Sequence, residues 1–349
     1  MTRPARPPID VTSSRFLGLR HASDSLPGWT DLTTGVPAVL AEPPLAGRIG
    51  RHVARWQGAG AGLVARSSLH ALMDVLGELP RPGDTVAIDE FAYPITEWSA
   101  LRAAGRGVTV RRYPHHRPGR LVPPAGGRLF TLADGWCPGC NRPAPLGVLR
   151  QRAVCGGGLL VVDDSLAFGV VGDGAGTPAW SGVGHDGVVW VASMAKAYGA
   201  PLAVLTGSGD VVDVLARHGG NRVHSSPPSA ADLAAAARAL ELGGPGRRAA
   251  VARERVTRHV LYLREALAAA GIRIGGPPFP VLSLPLATAV QARRWLNRLR
   301  DSGIRAVVQR PRCRPGFALG VLLRADHAEA DVERVAAALC GLARSEAAA

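Results

Sequence analysis

Lysine, aromatic residues, cysteine and long apolar runs are all scarce in this chain, and each scarcity excludes something. Of 41 basic side chains, 40 are arginine and only Lys196 is lysine. Aromatic residues make up 5% of the chain, and the arginines never form a run longer than a pair. The formal net charge of +14 therefore lacks the basic stripe interleaved with aromatics that a nucleic-acid face requires. No nucleic-acid partner is expected. The apolar runs fall well short of the roughly 18 residues that span a bilayer, so no membrane segment is expected either. The first 20 residues carry no apolar block of the secretory kind. Five cysteines are too few and too odd in number for a disulfide framework, which points to reduced thiols and a cytoplasmic location.

What is present is enough for a folded chain of two lobes. Its 349 residues are 47% hydrophobic and 19% charged, a balance that buries a core and excludes intrinsic disorder. Residues 1–45 are proline-rich without periodicity and read as an N-terminal arm. From residue 46, short apolar runs alternate with helix-sized segments. Helices are predicted at His52 to Trp56 and Ser67 to Leu79. Strands are predicted at Thr85 to Ile88, Gly107 to Arg112, Arg128 to Leu132, Gly158 to Val162, Gly187 to Ala192 and Leu202 to Thr206. Such runs between helices describe a mostly parallel sheet covered on both faces, an α/β domain over residues 46–228. Residues 229–349 read as a smaller α+β lobe. Its strands are predicted at Ile272 to Ile274, Val281 to Leu284, Ile304 to Val308 and Ala318 to Leu323.

The lone lysine carries the chemistry. A chain that uses arginine wherever charge suffices keeps lysine where arginine fails, and arginine cannot form an imine. Lys196 follows the apolar run Val188 to Ala192, and strand ends are where open α/β sheets bind ligands. A second apolar run, Leu159 to Val162, ends in Asp163 and Asp164. A carboxylate there can be a metal ligand, an acid or base, a helix cap, or the partner of a protonated pyridine nitrogen. The third element is the turn Ser67–Ser68–Leu69 opening a helix, whose N–H groups and dipole suit a phosphate. Phosphate turn, carboxylate and lysine in that order are what pyridoxal 5'-phosphate needs.

The chain resembles the fold-type I pyridoxal-phosphate transferases, and within them the α-oxoamine synthases. Asp134–Gly135 and Ala144 to Leu146 look like the family's DG and APL segments. Val162 to Gly172 (VDDSLAFGVVG) resembles VDDAHxxGVxG, Ser193 to Gly199 resembles the lysine motif, and His224 to Pro228 resembles its PP segment. The resemblance implies a large cofactor domain with a small C-terminal domain. It also implies a homodimer in which Ser193, with His224 and Ser225 from a partner subunit, binds the phosphate and Tyr93 stacks on the ring. Lys196 and Asp163 are the implied catalytic pair. The implied reaction proceeds through a Schiff base and a stabilised carbanion, with an amine or amino acid as substrate and an acyl thioester as donor.

Two positions depart from the family. Leu166 stands where it has a histidine, and Gly320 where it has a carboxylate-gripping arginine, with Arg310, Arg312, Arg314 and Arg324 nearby as substitutes or as a solvated face. Transamination or other carbanion chemistry therefore stays open, as does a non-catalytic cofactor fold. A third class, a thiol oxidoreductase, is raised by Trp136-Cys-Pro-Gly-Cys140, although the prolines that follow forbid the helix start such a site uses. A zinc site needs further ligands, with Cys155 and His185 as candidates, and no metal is assigned. His115 and His116 read as solvated, His70 as packed, and His327 as a helix-start residue.

Overall fold

The computed structural model describes residues 7–119 and 121–347. Two units emerge, one formed by residues 19–119, 121–136 and 143–249, the other by residues 7–18, 137–142 and 250–347.

The larger unit is built on a seven-stranded sheet. Its strands are Ala61–Ala65 (β1), Thr85–Asp89 (β2), Thr109–Tyr113 (β3), Leu129–Asp134 (β4), Gly157–Asp163 (β5), Val188–Ser193 (β6) and Ala203–Gly207 (β7), in the spatial order β1-β7-β6-β5-β4-β2-β3. Strands β2 and β7 are each buried along their whole length, as a sheet covered on both faces demands. Strand β7 runs antiparallel to both β1 and β6, so β1 runs the same way as β6 and its parallel neighbours. The C-terminal ends of β1 through β6 therefore share one edge of the sheet, the edge where α/β folds bind ligands.

Helix α1 covers Pro44–Gln57, longer than the predicted His52 to Trp56. Proline at the first helical position sets its start and Gly58 in the left-handed conformation ends it, two signals that lie outside the apolar periodicity. Helix α2, Ser68–Glu78, buries Leu72, Val75 and Leu76 against Ile88, Leu132, Val161 and Val191 of the sheet. Burying aliphatic side chains of this size stabilises by about 1.5–3 kcal/mol each, which is what fixes this helix and its N-terminus against the sheet. Helix α3, Pro94–Ala104, and helix α4, Leu146–Cys155, follow β2 and precede β5. After β7 come α5 (Gly209–His218), the short α6 (Gly220–His224) and α7 (Ala230–Gly243).

The smaller unit has an antiparallel sheet of Val281–Leu286 (β8), Val307–Gln309 (β9) and Phe317–Leu322 (β10), in the order β8-β10-β9. Leu282, Leu284, Leu319 and Val321 of the sheet pack with Trp295 of helix Ala289–Asp301 and Val335 and Leu339 of helix Glu329–Ala347. The strand Ile9–Asp10 pairs in parallel with Ile304–Arg305, and Phe16 is fully buried, so the N-terminal stretch is part of this unit's core. Two strand expectations need correction. Ile272 to Ile274 is irregular, because Arg264 satisfies the carbonyls of Ile274 and Gly276 at 2.6 and 2.9 Å in place of a strand neighbour. The predicted strand Ile304 to Val308 is split into Ile304–Arg305 and Val307–Gln309, which pair with different partners.

Candidate active site at the carboxyl edge of the sheet

The ligand-binding edge of the larger unit gathers most of the residues that the sequence singles out. Asp134 at the end of β4 and Asp163 at the end of β5 are register partners on adjacent parallel strands. Lys196 lies three residues beyond β6, in a turn closed by bonds from Met194 N–H to the Leu202 carbonyl (2.8 Å) and from Ala200 N–H to the Met194 carbonyl (3.1 Å). Its side chain is half-buried. Burial lowers the ammonium pKa, and the carboxylates of Asp163, Asp134 and Asp164 oppose that shift. A lysine held this way sheds its proton more readily than an exposed one while keeping anionic neighbours.

The two aspartates after β5 have separate duties. Asp163, 7% exposed, accepts the Ser165 N–H at 3.0 Å through Oδ1. Its Oδ2 takes no hydrogen bond among the described residues, which leaves one carboxylate oxygen for a ligand. Asp164 is fully buried and accepts Thr177 N–H (2.7 Å), Thr177 Oγ1 (2.5 Å) and Trp190 Nε1 (3.0 Å). Burial pushes its carboxyl up to about 7, with Asp163 adding in the same direction. Asp164 is thus a structural brace under the site.

Two residues that the sequence reading did not assign complete the edge. Asp134, the aspartate of the Asp134–Gly135 motif, accepts Tyr93 N–H at 2.6 Å and Thr96 Oγ1 at 2.8 Å, so it fixes the start of α3. The Tyr93 ring is left 58% exposed at this edge. Ser165 Oγ accepts Ser193 N–H at 2.9 Å and ties the carboxylate loop to the lysine loop. Ser193 Oγ in turn accepts Ala195 N–H at 3.2 Å. The strand-end position of Asp134, matching that of Asp163, was the signal available for the first; Ser165 offers none in one dimension.

Ser67 caps α2, accepting His70 N–H at 3.4 Å, and its Oγ lies 2.8 Å from His70 Nδ1. Ser68 and Leu69 open the helix, where N–H groups lack intrahelical acceptors. His224 is exposed at the end of α6, and the adjacent Ser225 Oγ donates to the Asn221 carbonyl at 2.5 Å. Asn221 anchors that segment to α2 within one chain, donating to Asp74 Oδ1 from N–H at 2.8 Å and Nδ2 at 2.7 Å and to the His70 carbonyl at 3.1 Å.

Other expectations change. His115 and His116 are half-buried and stacked 3.9 Å apart, where solvated side chains were expected. His115 Nδ1 lies 2.8 Å from Asp89 Oδ1, and His116 N–H donates to Asp89 Oδ2 at 2.9 Å. Leu166 is partly exposed beside Ser165 and brings no proton donor. In the smaller unit Gly320 sits mid-strand opposite Ser283. Among the arginines near it, Arg324 is held by Asp326 (2.8 Å) and Arg310 covers the Phe317 ring (4.7 Å). Arg314 donates to Ser283 Oγ (2.8 Å) and to the Ser283 carbonyl (2.9 Å), so its guanidinium lies beside the strand position opposite Gly320.

Comparison with known proteins agrees with this geometry. A profile described as "Aminotransferase class I and II" matches residues 149–339. The 8-amino-7-oxononanoate synthase of Geobacter metallireducens is 31% identical, over 84% of this chain and 76% of the relative. A putative 8-amino-7-oxononanoate synthase of Thermosynechococcus vestitus is 27% identical, over 97% of this chain and 89% of the relative. Among solved structures, a serine palmitoyltransferase from S. paucimobilis with a bound PLP-myriocin aldimine superposes with a TM-score of 0.84 at 18% identity, over 98% of this chain and 89% of that one. The 8-amino-7-oxononanoate synthase of Francisella tularensis superposes with a TM-score of 0.76 at 17% identity, over 97% and 98%. The chain belongs to the class I and II aminotransferase family of fold-type I pyridoxal-phosphate-dependent transferases, and within it to the α-oxoamine synthases.

Proposed function

We propose that this chain joins an acyl group from a thioester to the α-carbon of an amino acid, releasing carbon dioxide and the free thiol and leaving an aminoketone. The observation that carries the reading is Lys196, the only lysine, beside two strand-end carboxylates at the ligand-binding edge. The site fits pyridoxal phosphate: Asp163 keeps one oxygen uncommitted for a protonated ring nitrogen, and the Ser67–Ser68–Leu69 turn opens a helix whose N–H groups suit a phosphate. When bound, that cofactor supplies an aldehyde for imine exchange and a ring that withdraws electrons from the substrate's α-carbon.

The chain's own residues do the rest. The Lys196 amine anchors the cofactor and, once released, takes and returns the α-proton. Asp163 holds the proton on the ring nitrogen, and Tyr93, fixed through its backbone by Asp134, covers one face of the ring. Ser193 adds a hydroxyl for the phosphate. Leu166 puts an apolar side chain where the family has an imidazole, so this site manages with one polar group fewer.

The same reading makes the protein a homodimer, with the partner's His224 and the partner's Ser225 completing the phosphate site. It is supported by large apolar side chains exposed on the larger unit: Leu40 at 76%, Leu101 at 54%, Leu32 at 53% and Trp98 at 52%. A monomeric mass in light scattering would overturn it. Five cysteines with no disulfide among the described residues support action in the cytoplasm, which fractionation of the source cells tests. Among the described residues, no helix is long and apolar enough to cross a membrane.

The deciding experiment screens amino acids against acyl thioesters with the cofactor-loaded protein. Thiol release that requires both substrates, with matching carbon dioxide, supports acyl transfer. Amino-group exchange with a keto acid and no thiol release would replace it with transamination.

A further inference from the structure

The Cys-Pro-Gly-Cys segment takes no part in the reaction above, and the structure gives it a third sulfur. Trp136–Cys137 and Arg142–Pro143 form a small hairpin with Cys140 in its tip. Cys313 comes from the loop between β9 and β10. The Sγ atoms of Cys137, Cys140 and Cys313 all lie within 4.8 Å of one another, and all three residues belong to the smaller unit. The third ligand is therefore Cys313, and neither Cys155 nor His185, the candidates read from sequence, joins the group.

Both segments are held in place independently of the sulfurs. Asn141, at φ +56°, donates through Nδ2 to the carbonyls of Gly275 (2.8 Å) and Pro277 (3.0 Å), which pins the hairpin tip. Arg314, next to Cys313, is fixed on Ser283. Gly139 is what lets the segments meet. A Cβ there would stand 2.5 Å from Cys313 Sγ and 3.1 Å from the Pro311 side chain, so any other residue pushes the third sulfur away.

We propose that Cys137, Cys140 and Cys313 together bind one zinc ion that clamps the hairpin to the C-terminal sequence. Thiolates about 2.3 Å from a tetrahedral zinc stand about 3.8 Å apart, so sulfurs already within 4.8 Å need shifts of no more than about 1 Å to ligate it. A disulfide uses two of the three and strands the third, and its formation needs an oxidant to take two electrons. Zinc uses all three and needs none. Zinc binds cysteine as the thiolate, the thiol protons passing to solvent. A divalent ion supplies the positive charge that deprotonation requires. A fourth, lighter ligand completes the tetrahedron, making a closed structural site with no role in the transfer reaction.

The test uses the full-length protein from zinc-supplemented cells, purified without a metal-affinity tag. Elemental analysis is expected to find about one zinc per chain, and X-ray absorption a shell of three sulfurs with one nitrogen or oxygen. Cys313→Ser is expected to lose the metal, whereas Cys155→Ser keeps it. Should the Cys313 variant fold poorly, cobalt added to the metal-stripped wild type reads the same point through thiolate charge-transfer bands in the near ultraviolet. A protein that takes up neither metal, a Cys137–Cys140 disulfide after purification under reductant, iron in place of zinc, or equal loss in Cys155→Ser overturns the proposal.

Discussion

Asp134 and Asp163 stand opposite each other at the ends of β4 and β5, yet they are committed to different work. Asp134 spends both oxygens on Tyr93 and Thr96, whereas Asp163 spends one on Ser165. Two carboxylates on adjacent strands thus separate positioning from chemistry. Both also hold the Lys196 ammonium against the downward pull of burial.

Substituting the two aspartates separates those roles. Asp163→Asn keeps the shape but loses the charge that favours a protonated pyridine, so turnover is expected to fall about 10²–10³-fold with the cofactor still bound. Asp134→Asn is expected to weaken cofactor retention through Tyr93 while the rate of loaded enzyme changes less. Steady-state rates on enzyme of known cofactor content decide it. Equal loss in both variants would show that the division of labour is wrong.

Lys196→Arg preserves positive charge and length at that turn. It cannot form an imine, so the imine absorbance band and the covalent fixing of the cofactor to the protein by borohydride are expected to vanish along with turnover. A reduced wild-type protein should carry the cofactor mass on the peptide containing Lys196. An adduct on any other peptide would refute the assignment.

Much of this edge is legible in one dimension, and the reasons for the gaps are physical. Lys196 stands out because arginine replaces lysine everywhere else, and Asp163 because an uninterrupted apolar run points to it. Strands buried on both faces announce themselves as runs, as Thr85–Asp89 and Val188–Ser193 do. Ala61–Ala65 is small-residue sequence and only partly buried, so it is missing from the predicted strands although it is a full edge strand. His115 looked solvated because its partner, Asp89, is 26 residues away in sequence. Ser165 and Cys313 matter only through neighbours brought by other loops. Periodicity sees which face is buried; it does not see which loops converge.

Gly169 supports the lysine turn from below. Its φ is +87°, and a Cβ there would stand 2.7 Å from the Ala197 Cβ and 3.0 Å from the Tyr198 ring. Gly169→Ala combines an unfavourable backbone region with overpacking, for an expected loss of about 2–4 kcal/mol in urea unfolding. Because the clash falls on the residue after Lys196, cofactor uptake is expected to weaken as well. A variant as stable as wild type would mean that the lysine turn yields freely.

Asp164 gives a pH signature in stability. Its carboxyl is raised from an ordinary value of 3.8 to about 7 in the folded protein, chiefly by burial. The native state therefore binds this proton more tightly than the unfolded chain does. The group's stabilising contribution is complete below the unfolded value near 4 and is lost as pH rises through about 7. Asp164→Asn stays neutral throughout and keeps an acceptor for Thr177, so it lacks this slope. Urea midpoints measured from pH 4 to pH 8 are expected to show the Asn variant gaining on wild type between about pH 4 and pH 7, then running parallel above that window. Subtracting one curve from the other cancels every carboxylate that the two proteins share. Parallel curves across the whole range would mean that Asp164 is ionised in the folded protein at pH 4, and that its three donors outweigh its burial.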